Sequence, residues 1–138
     1  MRDSKCDQVP SLEEVRERFN DDHFAMKLGV NIEKIKDGYS LCVITIDESM
    51  LNAAGSIMGG VYFTLSDFAF AVAANWNKPL TVSLSSHITF LSPALGGRLI
   101  AEARCIKEGK TTCYYTVDIC DDTGTLVTSC TMNGFIKG

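Results

Sequence analysis

The longest apolar pattern in the chain runs from residue 59 to residue 76 and contains no Lys, Arg, Glu or Pro. Large apolar side chains recur in it at helical spacing, namely Val61, Leu65, Phe68, Val72 and Trp76. Aromatic residues and alanines fill most of the remaining positions, so the pattern predicts a helix that is buried on nearly all sides. A Gly-rich loop, 52–60, leads into this helix.

Alternating apolar and polar residues predict β-strands on both sides of the helix. Before it, the pattern indicates a strand at 29–35, a turn at Asp37-Gly38 and a second strand that begins at Tyr39. After it, four strands are predicted, with turns rich in Gly, Pro and Asp between them: 81–91, 98–107, 111–120 and 126–136. Strands joined by such short turns are typical of an antiparallel arrangement.

The predicted strand at 81–91 has one apolar face and one polar face. The apolar face contains Val82, Leu84, Ile88 and Phe90. The polar face contains Ser83, Ser85, His87 and Thr89. Residues on this polar face are compatible with either an ordinary solvent-exposed surface or a site, and a structural role is expected for His87.

The N-terminal residues carry a separate helical signal. Ser11 followed by Glu14 forms a capping box, and the apolar face of the predicted helix consists of Leu12, Val15 and Phe19. We therefore expect a helical extension within 1–20, at the start of a single domain that spans 1–138. For His23, just after this segment, a surface or packing role is expected.

The order of these elements predicts an α+β fold: two strands, one long buried helix, and then an antiparallel run of strands. A curved sheet that wraps around the helix covers only part of its surface. We therefore expect a second subunit to cover part of the rest.

Composition and charge exclude several functions. The net charge is only -4 and no basic run is interleaved with aromatic residues, which argues against nucleic-acid binding. The polar N-terminus, Met1 to Asp7, has no apolar core of a signal peptide, which favours a cytoplasmic location. The apolar segment 57–76 carries Asp67 near its centre, at a cost of about 3 kcal/mol for membrane insertion, so no membrane partner is expected.

The cysteines show no pattern of a metal site or of a disulfide framework. The chain has six, none in a CxxC pair and none with a His at metal-ligand spacing: Cys6, Cys42, Cys105, Cys113, Cys120 and Cys130. Reduced core cysteines are the simpler interpretation, and we expect neither a metal nor another cofactor.

Asp67 is the candidate for chemistry, because no other Asp, Glu, Lys, Arg or His occurs between Glu48 and Lys78. A carboxylate in an apolar helix is costly unless a neighbour satisfies it or a reaction uses it. A hydrogen bond from Ser83 or Thr64 is the alternative that involves no function.

The loop and helix share a set of positions with a known pattern, Asn-x-x-Gly-x-x-His-Gly-Gly followed by an Asp in the helix: Asn52, Gly55, Met58, Gly59, Gly60 and Asp67. The strand that ends in Pro93-Ala94 and the hairpin at Gly109-Lys110 fit the same pattern. On these residues, from about residue 20 to the C-terminus, the chain resembles the PaaI-like acyl-CoA thioesterases of the hotdog fold, the thioesterase superfamily member 2 type.

This resemblance implies a long central helix wrapped by a curved antiparallel sheet, and hydrolysis of a small or medium, aliphatic or aromatic, acyl-CoA. It assigns Asp67 as general base or nucleophile and the Gly59 amide as the oxyanion donor, with Asn52 and Ser83 in supporting roles. In the family the acid comes from the partner subunit, which implies a homodimer with two composite sites and a dimer of dimers, a homotetramer.

The resemblance also suggests the substrate-binding residues, namely Met58, Gly60, Phe90, Ser92, Pro93, Lys107, Gly109 and Lys110. The two lysines would meet the coenzyme A phosphates; ordinary solvated turn charges are the alternative. Met58 replaces the family's usual His, and a thioether neither donates a hydrogen bond nor carries a proton. Two other functions therefore stay open: a non-catalytic acyl-CoA-binding module, and an enoyl-thioester hydratase, which usually needs an Asp–His pair that is not seen near Asp67.

Overall fold

The structure is a computed structural model that describes residues 9–138. The polar N-terminal segment and Cys6 lie outside the described residues. The elements in chain order are α1 (Leu12–Phe19), α2 (His23–Leu28), β1 (Asn31–Lys36), β2 (Tyr39–Thr45), α3 (Gly59–Asn75), β3 (Thr81–Phe90), β4 (Arg98–Glu108), β5 (Thr112–Asp121) and β6 (Leu126–Ile136). The six strands form one sheet in the order β1-β2-β4-β5-β6-β3, with every neighbouring pair antiparallel.

Helix α3 packs on one face of this sheet, as predicted, and most of its side chains are buried. The ring of Phe70 meets that of Tyr115 on β5 edge-on, with 5.2 Å between the ring centroids. A Cβ at Gly134 on β6 would lie 3.0 Å from Phe70, which shows how closely helix and sheet approach. The helix starts at Gly59, so the last two residues of the predicted loop 52–60 are its first residues. It ends at Asn75, one residue before the end of the apolar pattern, because Trp76 is its C-cap.

The chain's own N-terminal helices cover a further side of α3. Ser11 caps α1 as predicted, because its hydroxyl accepts a hydrogen bond from the Glu14 amide at 3.1 Å. The Glu14 carboxylate bonds the Ser11 hydroxyl and not the Ser11 amide, so only this half of the capping box forms. The ring of Phe19 then packs edge-on against Phe68, with 5.9 Å between centroids. Part of the surface that we expected a second subunit to cover is therefore covered within one chain.

The predicted start of the first strand was wrong by two residues. Gly29 belongs to the end of α2, where it adopts φ 87° and its amide bonds the carbonyls of Ala25 and Met26. Glycine is favoured in this left-handed conformation because it has no Cβ. The chain turns there, and β1 begins only at Asn31.

Strand β3 is an edge strand and most of its residues are exposed. Its predicted face pattern was wrong at the N-terminal end, because a bulge between Ser83 and Ser85 shifts the pairing with β6. Ser83 pairs with Gly134, and a Cβ at Gly134 would point toward Phe70 on α3. Because paired residues on neighbouring strands share a face, Ser83 also lies on the helix side of the sheet. Val82 pairs with Phe135 on the opposite face.

No helix within residues 9–138 combines the length and apolar character needed to cross a bilayer. The five cysteines in this part of the chain are free thiols, three of them buried.

Candidate active site

The start of α3 presents backbone amides that have no partner inside the helix. Met58 is the N-cap residue and its side chain accepts no capping hydrogen bond. The Val61 amide donates to the Met58 carbonyl at 3.0 Å. The amides of Gly59 and Gly60 come before this first intrahelical donor, so the helix offers them no acceptor. These two amides stand at the positive end of the helix dipole, where a developing negative charge is stabilised.

Asn52 shapes the loop that leads to this helix start. Its side-chain oxygen accepts hydrogen bonds from the amides of Ala54 at 2.9 Å and Ser56 at 3.1 Å. Gly55 completes the turn with φ 81°. Because the loop uses the oxygen, the NH₂ group is the part of the Asn52 side chain that remains to contact a ligand.

A cleft of about 660 Å³ opens beside the helix start. We call it the helix-start cleft, and it is lined by Ile46, Leu51, Gly55, Ser56, Ile57, Gly59, Tyr62, Phe90, Leu91, Ser92, Pro93, Ala94 and Gly96. It brings together four of the predicted site residues: Gly59, Phe90, Ser92 and Pro93. Met58 and Gly60 flank it without lining it.

The Phe90 ring lies against Gly59. A Cβ added at Gly59 would come within 3.1 Å of Phe90 Cζ, whereas one added at Gly60 would meet nothing within 4 Å. The same ring packs against Tyr62, with 5.9 Å between the centroids. Burial raises the pKa of Tyr62, and its interaction with the Ala94 backbone opposes part of that shift. The lack of a side chain at Gly59 therefore allows an aromatic ring to approach the helix start.

Asp67 opens into a second, smaller cleft of about 260 Å³ between α2 and α3. We call it the acid cleft, and it is lined by Asp22, His23, Phe24, Ala25, Thr64, Asp67, Phe68 and Ala71. Asp67 is half-buried, and no donor within residues 9–138 forms a hydrogen bond to its carboxylate. Burial raises the pKa of Asp67, and the nearby charge of Asp22 raises it further.

The alternative in which Ser83 or Thr64 satisfies Asp67 has no support in this arrangement, since neither hydroxyl bonds the carboxylate. Conversely, His23 lies in the acid cleft, although sequence reasoning expected only a surface or packing role for it. Its position depends on how α2 packs against α3, and no local pattern reveals that packing. Asp22 was missed for the same reason.

Gly59 and Asp67 do not meet within one chain. They are eight positions apart on α3, which is about 12 Å along the axis at 1.5 Å per residue, and they line different clefts. Ser83 is exposed on the edge strand and lines neither cleft.

The predicted coenzyme-binding hairpin lies toward the opposite end of α3. Lys107, Gly109 and Lys110 are exposed and line neither cleft. Near the C-terminal end of the helix, Lys78 bonds Glu108 of this hairpin at 3.1 Å and Asp37 at 3.4 Å. One chain alone therefore leaves the two predicted lysines remote from the helix-start cleft.

Residues 54–128 match the model of a family described as the thioesterase superfamily, which is more than half of the chain. The chain belongs to the thioesterase superfamily. A relative is the acyl-coenzyme A thioesterase PaaI of Escherichia coli, which is 34% identical over 102 residues and matches over 73% of each chain.

Solved structures of superfamily members share the fold. The structure of the E. coli PaaI protein superposes with a TM-score of 0.81 at 28% identity, covering 93% of this chain and 97% of that one. A protein from Streptococcus pneumoniae described as a hypothetical thioesterase, solved with coenzyme A, gives a TM-score of 0.80 at 31% identity, covering 87% of this chain and 97% of that one. The predicted hotdog fold, the PaaI-like family and the class of thioester hydrolase are therefore confirmed.

Proposed function

We propose that this thioesterase hydrolyses a small or medium acyl-CoA, with an aliphatic or aromatic acyl group, to the free acid and coenzyme A. The acyl-CoA thioesterase relative and the coenzyme A bound to a structural neighbour support this substrate class. The cleft of about 660 Å³ is lined mostly by apolar side chains and lies beside free helix-start amides, which suits an acyl chain attached to a polar carbonyl.

The observation that carries the mechanism is the separation of Gly59 from Asp67 on one helix. Because of this separation, the two groups of one chain cannot act on the same thioester. A composite site, with the Gly59 amide from one copy and the Asp67 carboxylate from another, would bring the two groups to one thioester. Strand β3 supplies an edge for such a pair, because large apolar side chains on and beside it are exposed: Val82, Leu84, Phe90 and Leu91. Antiparallel pairing of two β3 strands about a two-fold axis would place the two α3 helices side by side, with opposite directions.

In this site the Gly59 amide stabilises the oxyanion that forms when the thioester carbonyl is attacked. Asp67 takes a proton from water, the resulting hydroxide adds to the carbonyl carbon, and the C–S bond breaks to release the coenzyme A thiolate, which is then protonated. Alternatively the Asp67 carboxylate adds to the carbonyl carbon itself, and the C–S bond breaks to release the coenzyme A thiolate, which is then protonated. Water hydrolyses the mixed anhydride that results and regenerates Asp67. Asn52 donates through its NH₂ group to the carbonyl or the water, and Ser83 orients the water or the acid.

The remaining predicted residues bind the rest of the substrate. Phe90, Ser92 and Pro93 line the cleft, flanked by Met58 and Gly60. The hairpin residues Lys107, Gly109 and Lys110 of the second copy would lie nearer the cleft than those of the same copy, in reach of the coenzyme A phosphates. A cytoplasmic location and the pairing of dimers into a homotetramer belong to the same proposal.

A non-catalytic acyl-CoA-binding module is the second candidate, and Met58 is the observation that favours it. A thioether at the N-cap contributes no proton and no hydrogen bond to the thioester carbonyl. This module would hold intact acyl-CoA, which would then co-elute with the purified protein.

Mixed dimers test the composite site directly. Asp67→Asn and Gly59→Val are each expected to inactivate a homodimer, but a dimer with one chain of each kind has one intact site. Random mixing should then restore about one quarter of the wild-type rate, because half of the dimers are mixed and each has one working site of two. No restoration in a mixture shown by mass spectrometry to contain mixed dimers would refute the composite site. If the wild-type protein releases no thiol from any acyl-CoA in a panel of substrates, the proposed thioesterase activity is refuted.

A further inference from the structure

Asp121, the last residue of β5, has a carboxylate that is almost fully buried and fully engaged. Its side chain is 1% exposed. One oxygen accepts hydrogen bonds from the Thr123 amide at 3.0 Å, the Thr123 hydroxyl at 2.6 Å and the Thr125 amide at 3.0 Å. These three bonds fix the turn between β5 and β6.

The second oxygen reaches across to another loop. It accepts hydrogen bonds from the amides of Leu95 at 2.6 Å and Gly96 at 3.2 Å, in the connection between β3 and β4. Bonds from Thr123 and Leu95 hold the pKa of Asp121 well below its usual range. The carboxylate is therefore charged at neutral pH, and charged acceptors form the stronger hydrogen bonds.

The loop held in this way is one wall of the helix-start cleft, since five of its residues line it: Leu91, Ser92, Pro93, Ala94 and Gly96. At one end of the loop, the amides of Leu91 and Ser92 bond the Val127 carbonyl. Beyond the other end, Asp122 accepts from the amides of Gly97 and Arg98. Between these anchors, within the described residues, Asp121 supplies the hydrogen bonds to the loop amides.

The two loops also interlock sterically. A Cβ at Gly96 would lie 1.7 Å from a carboxylate oxygen of Asp122, so the wall has little space to move toward the β5–β6 turn. The β5–β6 turn therefore fixes the position of the cleft wall, and the hydrogen bonds to Asp121 fix the conformation of that turn.

We propose that Asp121 is a positioning residue that fixes this wall of the cleft and thereby sets which acyl groups the site accepts. The inference rests on the proposed function, because it takes the occupant of the cleft to be the acyl part of an acyl-CoA. Asp121 does not touch the substrate in this scheme; it acts through Leu95 and Gly96.

Asp121→Asn tests this with little change in size. A carboxamide has one acceptor oxygen where the carboxylate has two, and its NH₂ group would face amide donors on one of the two loops. Asp122→Asn is the matched control, because the hydrogen bonds of Asp122 go to the amides of Gly97 and Arg98, which do not line the cleft, and a carboxamide of the same size keeps the contact with Gly96. Thr123→Val is a milder variant that removes one of the five bonds to Asp121.

The readout is selectivity between a two-carbon and an eight-carbon acyl-CoA. We expect Asp121→Asn to change the ratio of the two kcat/KM values by about tenfold, mainly through KM, as pocket contacts do. Thr123→Val should change the ratio in the same direction by a smaller factor, and Asp122→Asn should leave it within about twofold. Equal losses for both substrates in Asp121→Asn, or an equal change of the ratio in Asp122→Asn, would overturn the inference.

Binding measured without turnover separates this inference from the proposed function. Two non-hydrolysable S-alkyl-CoA thioethers of matching lengths are titrated into wild-type, Asp121→Asn, Thr123→Val and Asp122→Asn protein. A changed ratio of dissociation constants in Thr123→Val alone supports the role of Asp121 even if the protein turns nothing over. An unchanged ratio in Thr123→Val, together with an unchanged ratio in a folded Asp121→Asn protein, refutes it while leaving the thioesterase reaction intact.

Discussion

Gly59 and Asp67 lie on the same helix, but they open into different clefts. Helix geometry sets their separation at about 12 Å, so no side-chain rotation brings them to one carbonyl. This arrangement is compatible with composite active sites, in which the start of each α3 belongs to one site and Asp67 of the same helix belongs to the other.

Asp67→Asn should abolish most turnover while leaving the fold intact. A general base contributes about 10²- to 10⁴-fold to a rate, and a carboxamide cannot take the proton from water. The measurement is thiol release at saturating acyl-CoA, with Ser66→Ala as a neighbouring control on the same helix. Retention of more than a tenth of the wild-type kcat would rule out Asp67 as base or nucleophile.

The same substitution should stabilise the protein at neutral pH. Burial and then Asp22 raise the pKa of Asp67 above its ordinary value of 3.8, so the folded state keeps a proton that the unfolded chain has already released. The free energy of unfolding of the wild type therefore falls as the pH rises through this window, and stays lower above it. Denaturant titrations should show Asp67→Asn more stable than wild type at pH 7, with the difference disappearing below about pH 3.8. A less stable variant at pH 7 would contradict the prediction.

Asp22→Asn should shift the acid side of the pH–rate profile to lower pH. Asp67 must be deprotonated to act, and removing the charge of Asp22 removes one cause of its raised pKa. His23 shares the cleft from α2. The buried Cys130 thiol on β6 has a pKa that is raised mainly by burial and then by the charge of Asp67. The profile of kcat/KM reports the free enzyme.

Asp21→Asn is the control for this shift, because Asp21 is exposed and does not line the acid cleft. The same shift in both variants would mean that general surface charge, and not Asp22 in the cleft, sets the acid limb.

The sequence predicts the parts of this molecule that local pattern determines. Helix α3 was predicted from its unbroken apolar run, although Gly59 and Gly60 were assigned to the preceding loop and belong to its first turn. The sheet face on which Ser83 lies could not be predicted. A bulge between Ser83 and Ser85 reverses the alternation of faces, and this bulge belongs to the pairing of β3 with β6, which no local pattern reveals. Asp22 and His23 could not be assigned to the site, because they reach Asp67 only through tertiary packing of α2. Asp121 reads as a turn former, and only the folded chain shows that its second oxygen holds a distant loop.

Gly59→Ala and Gly60→Ala should differ sharply although the two residues are neighbours. A Cβ at position 59 would press on the Phe90 ring at 3.1 Å, while one at position 60 meets open space. Gly59→Ala keeps its amide, but the contact with Phe90 should displace that amide from the oxyanion. We expect kcat/KM to fall by about tenfold or more, with the 10²- to 10³-fold cost of losing one oxyanion donor as the limit, and Gly60→Ala to change it by less than about threefold. Phe90→Leu combined with Gly59→Ala should recover part of the loss, and no recovery would mean that the ring is not the obstacle.

Met58→His should distinguish an enzyme from a binding module. Met58 is the N-cap residue, with φ -63° and ψ 139°, values that an imidazole-bearing residue adopts without strain. Its side chain is 61% exposed, so His at this position loses little packing and stays hydrated. An imidazole N–H there supplies the donor that the thioether lacks. If the chain is an enzyme whose rate is limited by polarisation of the thioester carbonyl, kcat should rise by about tenfold with little change in KM.

Met58→Gln, which adds a donor without a titratable proton, separates hydrogen bonding from proton transfer. A wild-type protein that binds acyl-CoA without turnover, and stays inactive as Met58→His, would instead favour the binding module.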